Sequence, residues 1–199
     1  MRATLRALLF LALLLPAGGT LAAQHHGLRP VERDSNRDGD GSGFWAIVGL
    51  SRGDERYRFD TDSIFSDPFQ ANSFLLSAGG RVSPDFTVGF EWNIWSSYEA
   101  ASDQRLQALS LVGNWYPMGS PVFLKAGIGL GSNRIEDGTG VFKDSGYGIT
   151  LGAGVDIPIA RRVALQPRID YYAQRYDSPG QANDYRERLT QVGVALRFR

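Results

Sequence analysis

The stretch from Tyr147 to Tyr176, YGITLGAGVDIPIARRVALQPRIDYYAQRY, alternates residue by residue between two kinds of side chain. Ile149, Leu151, Ala153, Val155 and Ile157 share one face, continued after the turn by Val163, Leu165, Ile169 and Tyr171. Thr150, Gly152, Gly154 and Asp156, then Gln166, Arg168, Asp170 and Tyr172, share the other. A period of two sends successive side chains to opposite sides of a strand, so this is sheet with one dry face and one polar face. From Gly43 onward eight such segments follow one another: Phe44 to Ser51, Ser73 to Val82, Phe86 to Trp95, Arg105 to Tyr116, Val122 to Gly131, Tyr147 to Ile157, Val163 to Gln174 and Arg188 to Phe198. Their connections alternate as strictly. RGDERYRFDTDSIFSDPFQAN, SSYEAASDQ, SNRIEDGTGVFKDS and RYDSPGQANDYRE are long and polar, whereas SPD, PMGSP and PIARR are tight and carry Pro or Gly. An up-and-down meander has this layout, with all long loops at one end and all tight turns at the other. The expected fold is therefore all-β, an eight-stranded antiparallel up-and-down barrel.

Two such barrels are inside-out versions of each other. A soluble lipocalin-type barrel buries its apolar face around a ligand, and the Gly43-Phe44-Trp45 triplet matches that family's Gly-x-Trp at the first strand. A transmembrane barrel turns the apolar face to lipid. Glycines decide for the second. Gly89, Gly127, Gly129, Gly152, Gly154 and Gly193 fall on the polar face with Thr87, Glu91, Asn93, Lys125, Gln166, Arg168, Asp170 and Gln191. Glycine weakens a solvent-facing strand, but a narrow lumen crossed by long charged side chains needs small residues beside them. The opposite face carries no charge in the third strand (Phe86, Val88, Phe90, Trp92, Ile94) or the fifth (Val122, Leu124, Ala126, Ile128, Leu130), as hydrocarbon requires. Trp95, Tyr98, Trp115, Tyr116, Tyr171 and Phe198 stand near strand ends and are expected to form interfacial girdles. Pro167 cannot donate to a ladder, so its strand is expected to lose a bond or form a bulge there.

Residues 1–23 read as an export signal: Arg2 and Arg6, an apolar run from Ala7 to Leu15, then Pro16 and small residues, with cleavage expected after Ala22 or Ala23. Residues 24–42 read as a flexible polar extension, and residues 43–199 as the barrel. The extension holds His25, His26 and an alternating Asp34, Asn36, Asp38, Asp40 run with Gly39, which starts like a calcium loop but has Trp45 at its twelfth position, where a bidentate Glu is needed. It is read as a solvated linker, and no metal or cofactor is expected. The formal charge of +0 excludes strong attraction to nucleic acid, and the absence of cysteine excludes disulfides and thiolate chemistry. Both histidines precede the barrel, so no Ser/His pairing is available inside it and no catalytic residue is assigned.

The segments PVFLKAGIGLG, YGITLGAGVDIPIARRVALQPRIDYY and LTQVGVALRFR resemble the small eight-stranded outer-membrane barrels of Gram-negative bacteria, the group of the outer membrane protein A transmembrane domain, outer membrane protein X and the opacity proteins. The resemblance implies Sec-type export to the outer membrane as a monomer, long loops outside, and lipid or lipopolysaccharide around the wall. It departs at the end, where Phe198 is followed by Arg199 instead of closing the chain.

Counted from the tight turns, Glu91, Lys125 and Arg168 stand at similar heights on the inward face, with Asp170 one inward position further. Isolated buried charges are costly and an eight-stranded interior is narrow, so these four are expected to pair across the lumen and plug it. Arg81 and Asp156 are expected near the periplasmic mouth. The role is read as non-enzymatic, in envelope integrity or surface adhesion through an unknown partner of the long loops, whose acids (Asp54, Glu55, Asp60, Asp62, Asp67, Glu136, Asp137, Asp144) are read as solubilising. A narrow porin-like channel, a lipid-modifying enzyme and the lipocalin-like binder are the alternatives.

Overall fold

The computed structural model describes residues 43–99, 102–137, 140–177 and 184–199, and of residues 97–99, 102–103, 136–137 and 140–142 the backbone alone. The export signal, the polar extension with its two histidines and the Asp34 to Asp40 run lie outside the described residues.

The strands are β1 (Phe44–Phe59), β2 (Phe69–Ser83), β3 (Phe86–Glu99), β4 (Ser102–Trp115), β5 (Val122–Asp137), β6 (Gly140–Val155), β7 (Ile157–Ala160), β8 (Val163–Asp177) and β9 (Tyr185–Phe198). Consecutive strands pair antiparallel except β6 and β7, β9 pairs with β1, and β6 pairs with β8. Because β7 continues β6 past Asp156, nine segments make eight staves of one closed barrel. Closure leaves no strand edge exposed.

The structure decides which face is inside. Phe90 is 63% exposed, Ile128 67% and Leu130 69% on the outer wall, whereas Thr87, Glu91, Asn93, Lys125, Gln166, Arg168, Asp170 and Gln191 are all buried. A lipocalin-like binder, with its apolar face around a ligand, is thereby ruled out. On β8 the apolar outer positions run from Val163 to Ala173, broken by Pro167 alone, about the 9 to 11 residues a tilted strand needs to cross hydrocarbon.

Two expectations change and one is resolved. First, the long connections are in large part hairpin: β1 runs on to Phe59, and β5 and β6 stay paired as far as Asp137 and Gly140. Beyond the apolar band both faces are polar, so the alternation fades while the ladder continues, with Arg56 opposite Arg188 and Arg134 opposite Lys143. Second, Trp95 (1% exposed) and Tyr116 (8%) point into the lumen and belong to no outer girdle, while Trp115 and Phe198 are exposed. Trp95 has the parity of Glu91 and Asn93, and parity prevails over nearness to a strand end. Third, of the two outcomes expected at Pro167, the ladder bond is lost and no bulge forms. The β6–β8 ladder stops after Gly154 opposite Arg168 and resumes at Ile157 opposite Leu165 with the same register. The strand break at Asp156 is the gap left by the missing N–H, and the Asp156 N–H bonds to the Pro121 carbonyl at 2.8 Å.

Candidate functional site in the barrel lumen

Inward parity on β3, β5 and β8 delivers Glu91, Lys125, Arg168 and Asp170 to one level of the lumen. Lys125 Nζ lies 2.6 Å from Glu91 Oε1 and 2.8 Å from Asp170 Oδ1. Arg168 Nη2 donates to Glu91 Oε2 at 3.1 Å, and Arg168 Nε to Asp170 Oδ2 at 2.7 Å. The Tyr172 hydroxyl adds a donor to Glu91 Oε1 at 2.8 Å. The two cations and two anions balance, and every carboxylate oxygen has a donor, which is the condition for keeping charge in a low-dielectric interior. With β6 and β7 counted as one stave, β3 and β8 stand opposite each other, so the Glu91–Arg168 contact spans the barrel.

The glycines of this face make room for the network. A Cβ on Gly152 would collide with the Asp170 carboxylate and stand 3.0 Å from Lys125 Cε. One on Gly79 would stand 2.7 Å from the Trp45 ring, which packs over Gly79 and Gly89 on the tight-turn side of Glu91. Followed the other way along β3, the lumen passes Asn93 to Trp95, whose ring lies 5.7 Å from that of Tyr172 in a cluster with Leu106, Tyr176 and Leu189. The interior is thus not uniformly polar. The four-charge network lies between Trp45 on one side and an aromatic cluster on the other.

The structure brings together all four residues of the expected plug. Arg81 and Asp156 both stand at the tight-turn end, on opposite sides of the barrel. Asp156 is buried and accepts from Gln166 at 2.5 Å, Arg197 at 2.8 Å and Arg199 at 2.6 Å, whereas the exposed Arg81 lies on β2, across the barrel, and its backbone N–H bonds to the Gly43 carbonyl. Arg197, which also donates to the Tyr116 hydroxyl, is a lumen residue that sequence reasoning missed, although it shares the inward parity of Gln191 and Gly193. Glu55 and Glu187 were missed for another reason. Both are buried inside the hairpin extensions, with Gln104 Nε2 3.4 Å from Glu187 Oε1, where the polar sequence reads as solvated loop.

The network can hold side chains rigid and fill space; it presents no nucleophile with an adjacent base. Among the described residues no group of three or more metal-ligating side chains comes together.

No family model and no curated protein sequence matches the chain. Solved structures do. Neisserial surface protein A (NspA) superposes with a TM-score of 0.58 at 19% identity over 79% of this chain and 97% of that one. Ail, the attachment invasion locus protein of Yersinia pestis, gives 0.47 at 13% identity over 77% and 98%, and OprG from Pseudomonas aeruginosa 0.41 at 12% over 79% and 96%. The outward apolar band, the ion-paired interior and the likeness to neisserial surface protein A together give this chain the fold of the small eight-stranded outer-membrane barrels.

Proposed function

We propose that this barrel is a non-enzymatic, non-conducting outer-membrane protein that presents its hairpins outside the cell, serving envelope integrity or surface contact through a partner of those hairpins. The observation that carries this reading is the diametric Glu91–Arg168 contact, completed by Lys125 and Asp170. A pore needs a continuous wet path, and four charged side chains paired across a narrow lumen occupy the place where it would run. Glu187 with Gln104, and Arg197 with Tyr116, cross the interior at two further levels. The hairpin extensions of β1, β2, β5 and β6 stand clear of the apolar band and offer backbone-rigid surface where exposed binding segments commonly lie.

Planar-bilayer conductance of the refolded barrel tests the closed lumen. The wild type is expected to show no steady current, and Glu91→Ala or Lys125→Ala to open measurable conductance. A large wild-type current unchanged by either substitution would overturn the reading. Mass spectra of lipid A from cells with and without the protein test the absence of enzymatic activity, with altered acyl chains counting against it.

A further inference from the structure

Beyond the apolar band, which ends at Leu50 of β1 and Val192 of β9, the seam that closes the barrel carries like charges on both of its faces. Outward, Arg56 stands opposite Arg188 and Arg58 opposite Arg186. Inward, Glu55 stands opposite Leu189 and Tyr57 opposite Glu187, so the two carboxyl side chains are diagonal neighbours across the ladder, within reach of each other. Both are sealed from water, Glu55 at 1% exposure and Glu187 at 2%. One inward position nearer the band, at Gly53, the strands run so close that a Cβ would collide with the Thr190 carbonyl, so the seam is tightly shut up to the acid pair.

Unlike Glu91 and Asp170, this pair has no cation. No guanidinium or ammonium group among the described residues lies within ion-pair distance of either carboxyl. The surroundings are neutral: Gln104 Nε2 lies 3.4 Å from Glu187 Oε1, the Tyr176 hydroxyl is beside Glu187, and the buried Trp95 indole N–H is directed at Glu55. Glu55 Oε2 and Glu187 Oε2 are buried with no N–H or O–H donor from elsewhere in the chain, and the two carboxyls are hydrogen-bonded to each other. Two carboxylates cannot make that bond, since neither has a hydrogen to donate; one carboxyl and one carboxylate can. Burial, and next the Glu55 charge, push the Glu187 carboxyl well above the usual carboxylate range, and burial pushes Glu55 up as well. Among the described residues the other titratable groups around the pair are Tyr57 of β1, Tyr172 and Tyr176 of β8, Tyr185 of β9 and Asp144 of β6, which accepts from the Tyr185 hydroxyl at 3.1 Å. From β2, β3, β4 and β5 come Ala71, Trp95, Gln104 and Asn133, none of which titrates. Burial holds the Tyr176 and Tyr185 hydroxyls above the ordinary tyrosine value, so both stay neutral.

We propose that Glu55 and Glu187 hold one proton between them and that this proton latches the hairpin-side end of the seam, so that β1 and β9 part beyond Gly53 when it leaves. The inference rests on the register of the closed ladder, and neither on the closed lumen nor on the role proposed for the hairpins. With the proton present, one negative charge is spread over two carboxyls and met by neutral groups. Without it two like charges face each other inside the wall while Arg56 faces Arg188 outside, and parting the strands relieves both at once. A folded pair that keeps its proton above the ordinary carboxylate value of 4.5 binds more protons than the opened one. Closure is therefore strongest in acid and weakens as pH rises from that value through the raised value of the pair. The β1–β2 and β8–β9 hairpins meet at this seam, and their spacing becomes responsive to pH.

Carboxyl carbon-13 spectra of the full chain, labelled in its glutamates and refolded into an uncharged detergent, read the pair directly in the wild type. One proton should remain on the pair at neutral pH and leave in alkali. Amide hydrogen exchange, corrected for its intrinsic pH dependence, reads the seam. Residues 54–58 and 186–190 should open more by up to roughly tenfold per pH unit as the proton is lost, while residues 44–50 and 192–198 stay protected. E55Q and E187Q each put an amide where the shared proton was. Either variant, once heat-modifiable gel mobility confirms that it is folded, should lose the pH dependence and stay closed in alkali where the wild type opens. Removal of a merely structural contact would instead loosen the seam at every pH. D54N, outward on the same strand, should respond as the wild type does. Two carboxylates fully ionised at neutral pH, loss of the proton with no change in exchange along the seam, or an undiminished alkaline opening in a folded E55Q or E187Q would each overturn the proposal.

Discussion

The inside and the outside of this barrel handle charge in opposite ways. In the lumen Glu91, Lys125, Arg168 and Asp170 answer one another completely, each within 3.1 Å of an opposite charge. On the outer wall, two staves away from Arg168, Arg56 faces Arg188 and Arg58 faces Arg186. The difference lies in what surrounds them. A charge sealed in protein has only protein to compensate it, so every partner must be built in. A charge at a membrane interface keeps access to water, counter-ions and lipid headgroups, and the chain can leave compensation to them.

Deleting one internal partner should break the comparison most severely. Glu91→Ala strands Lys125 and Arg168 with one acid between them, and a broken buried pair costs about 3 to 5 kcal/mol. Urea unfolding of the barrel refolded into vesicles, followed by gel mobility, would register this as a large fall in midpoint. Coupling should come next in size. In a double-mutant cycle of Glu91→Gln and Lys125→Met, the interaction energy should fall within about 0.5 to 3 kcal/mol, the range for residues that share a network. If the two substitutions were simply additive, the lumen charges would be acting independently.

Filling the space beside the network should cost less than removing its members and for a different reason. Gly152→Leu introduces atoms where a Cβ alone already meets Asp170, and overpacking of this kind costs about 1 to 3 kcal/mol, measurable in the same unfolding assay. Conductance should stay at its low wild-type level, since the lumen becomes fuller. The smallest effect belongs to the outside. In uncharged detergent Arg188→Gln should change stability by no more than about 0.5 kcal/mol, and in the stabilising direction, because it relieves the opposed Arg56. A loss comparable to that of Glu91→Ala would mean that the outer arginines are compensated within the protein and would erase the contrast.

Much of this was legible in the sequence because it depends on parity alone. Alternation in YGITLGAGVDIPIA places Asp156 on one side and Ile157 on the other, and the same rule puts Glu91, Lys125, Arg168 and Asp170 together on the polar face. Charge-free runs such as Val122 to Leu130 identified the lipid-facing side, and the strict order of long and tight connections gave the meander. These are properties of neighbours along the chain, and a strand expresses them wherever it lies.

What the tertiary structure decided is whatever depends on closure and register. That β3 and β8 stand across the barrel from each other, so that Glu91 meets Arg168, follows from eight staves closing with a particular stagger. That Asp156 meets Arg197 and Arg199 is set by the same stagger, which brings residues 197–199 to the gap opposite Pro167. Glu55 and Glu187 enter the lumen, and Arg56 comes to face Arg188, only because the ladder continues past the point where hydrophobicity stops marking it. Backbone hydrogen bonds hold that extension, and they carry no side-chain signature for a sequence to show.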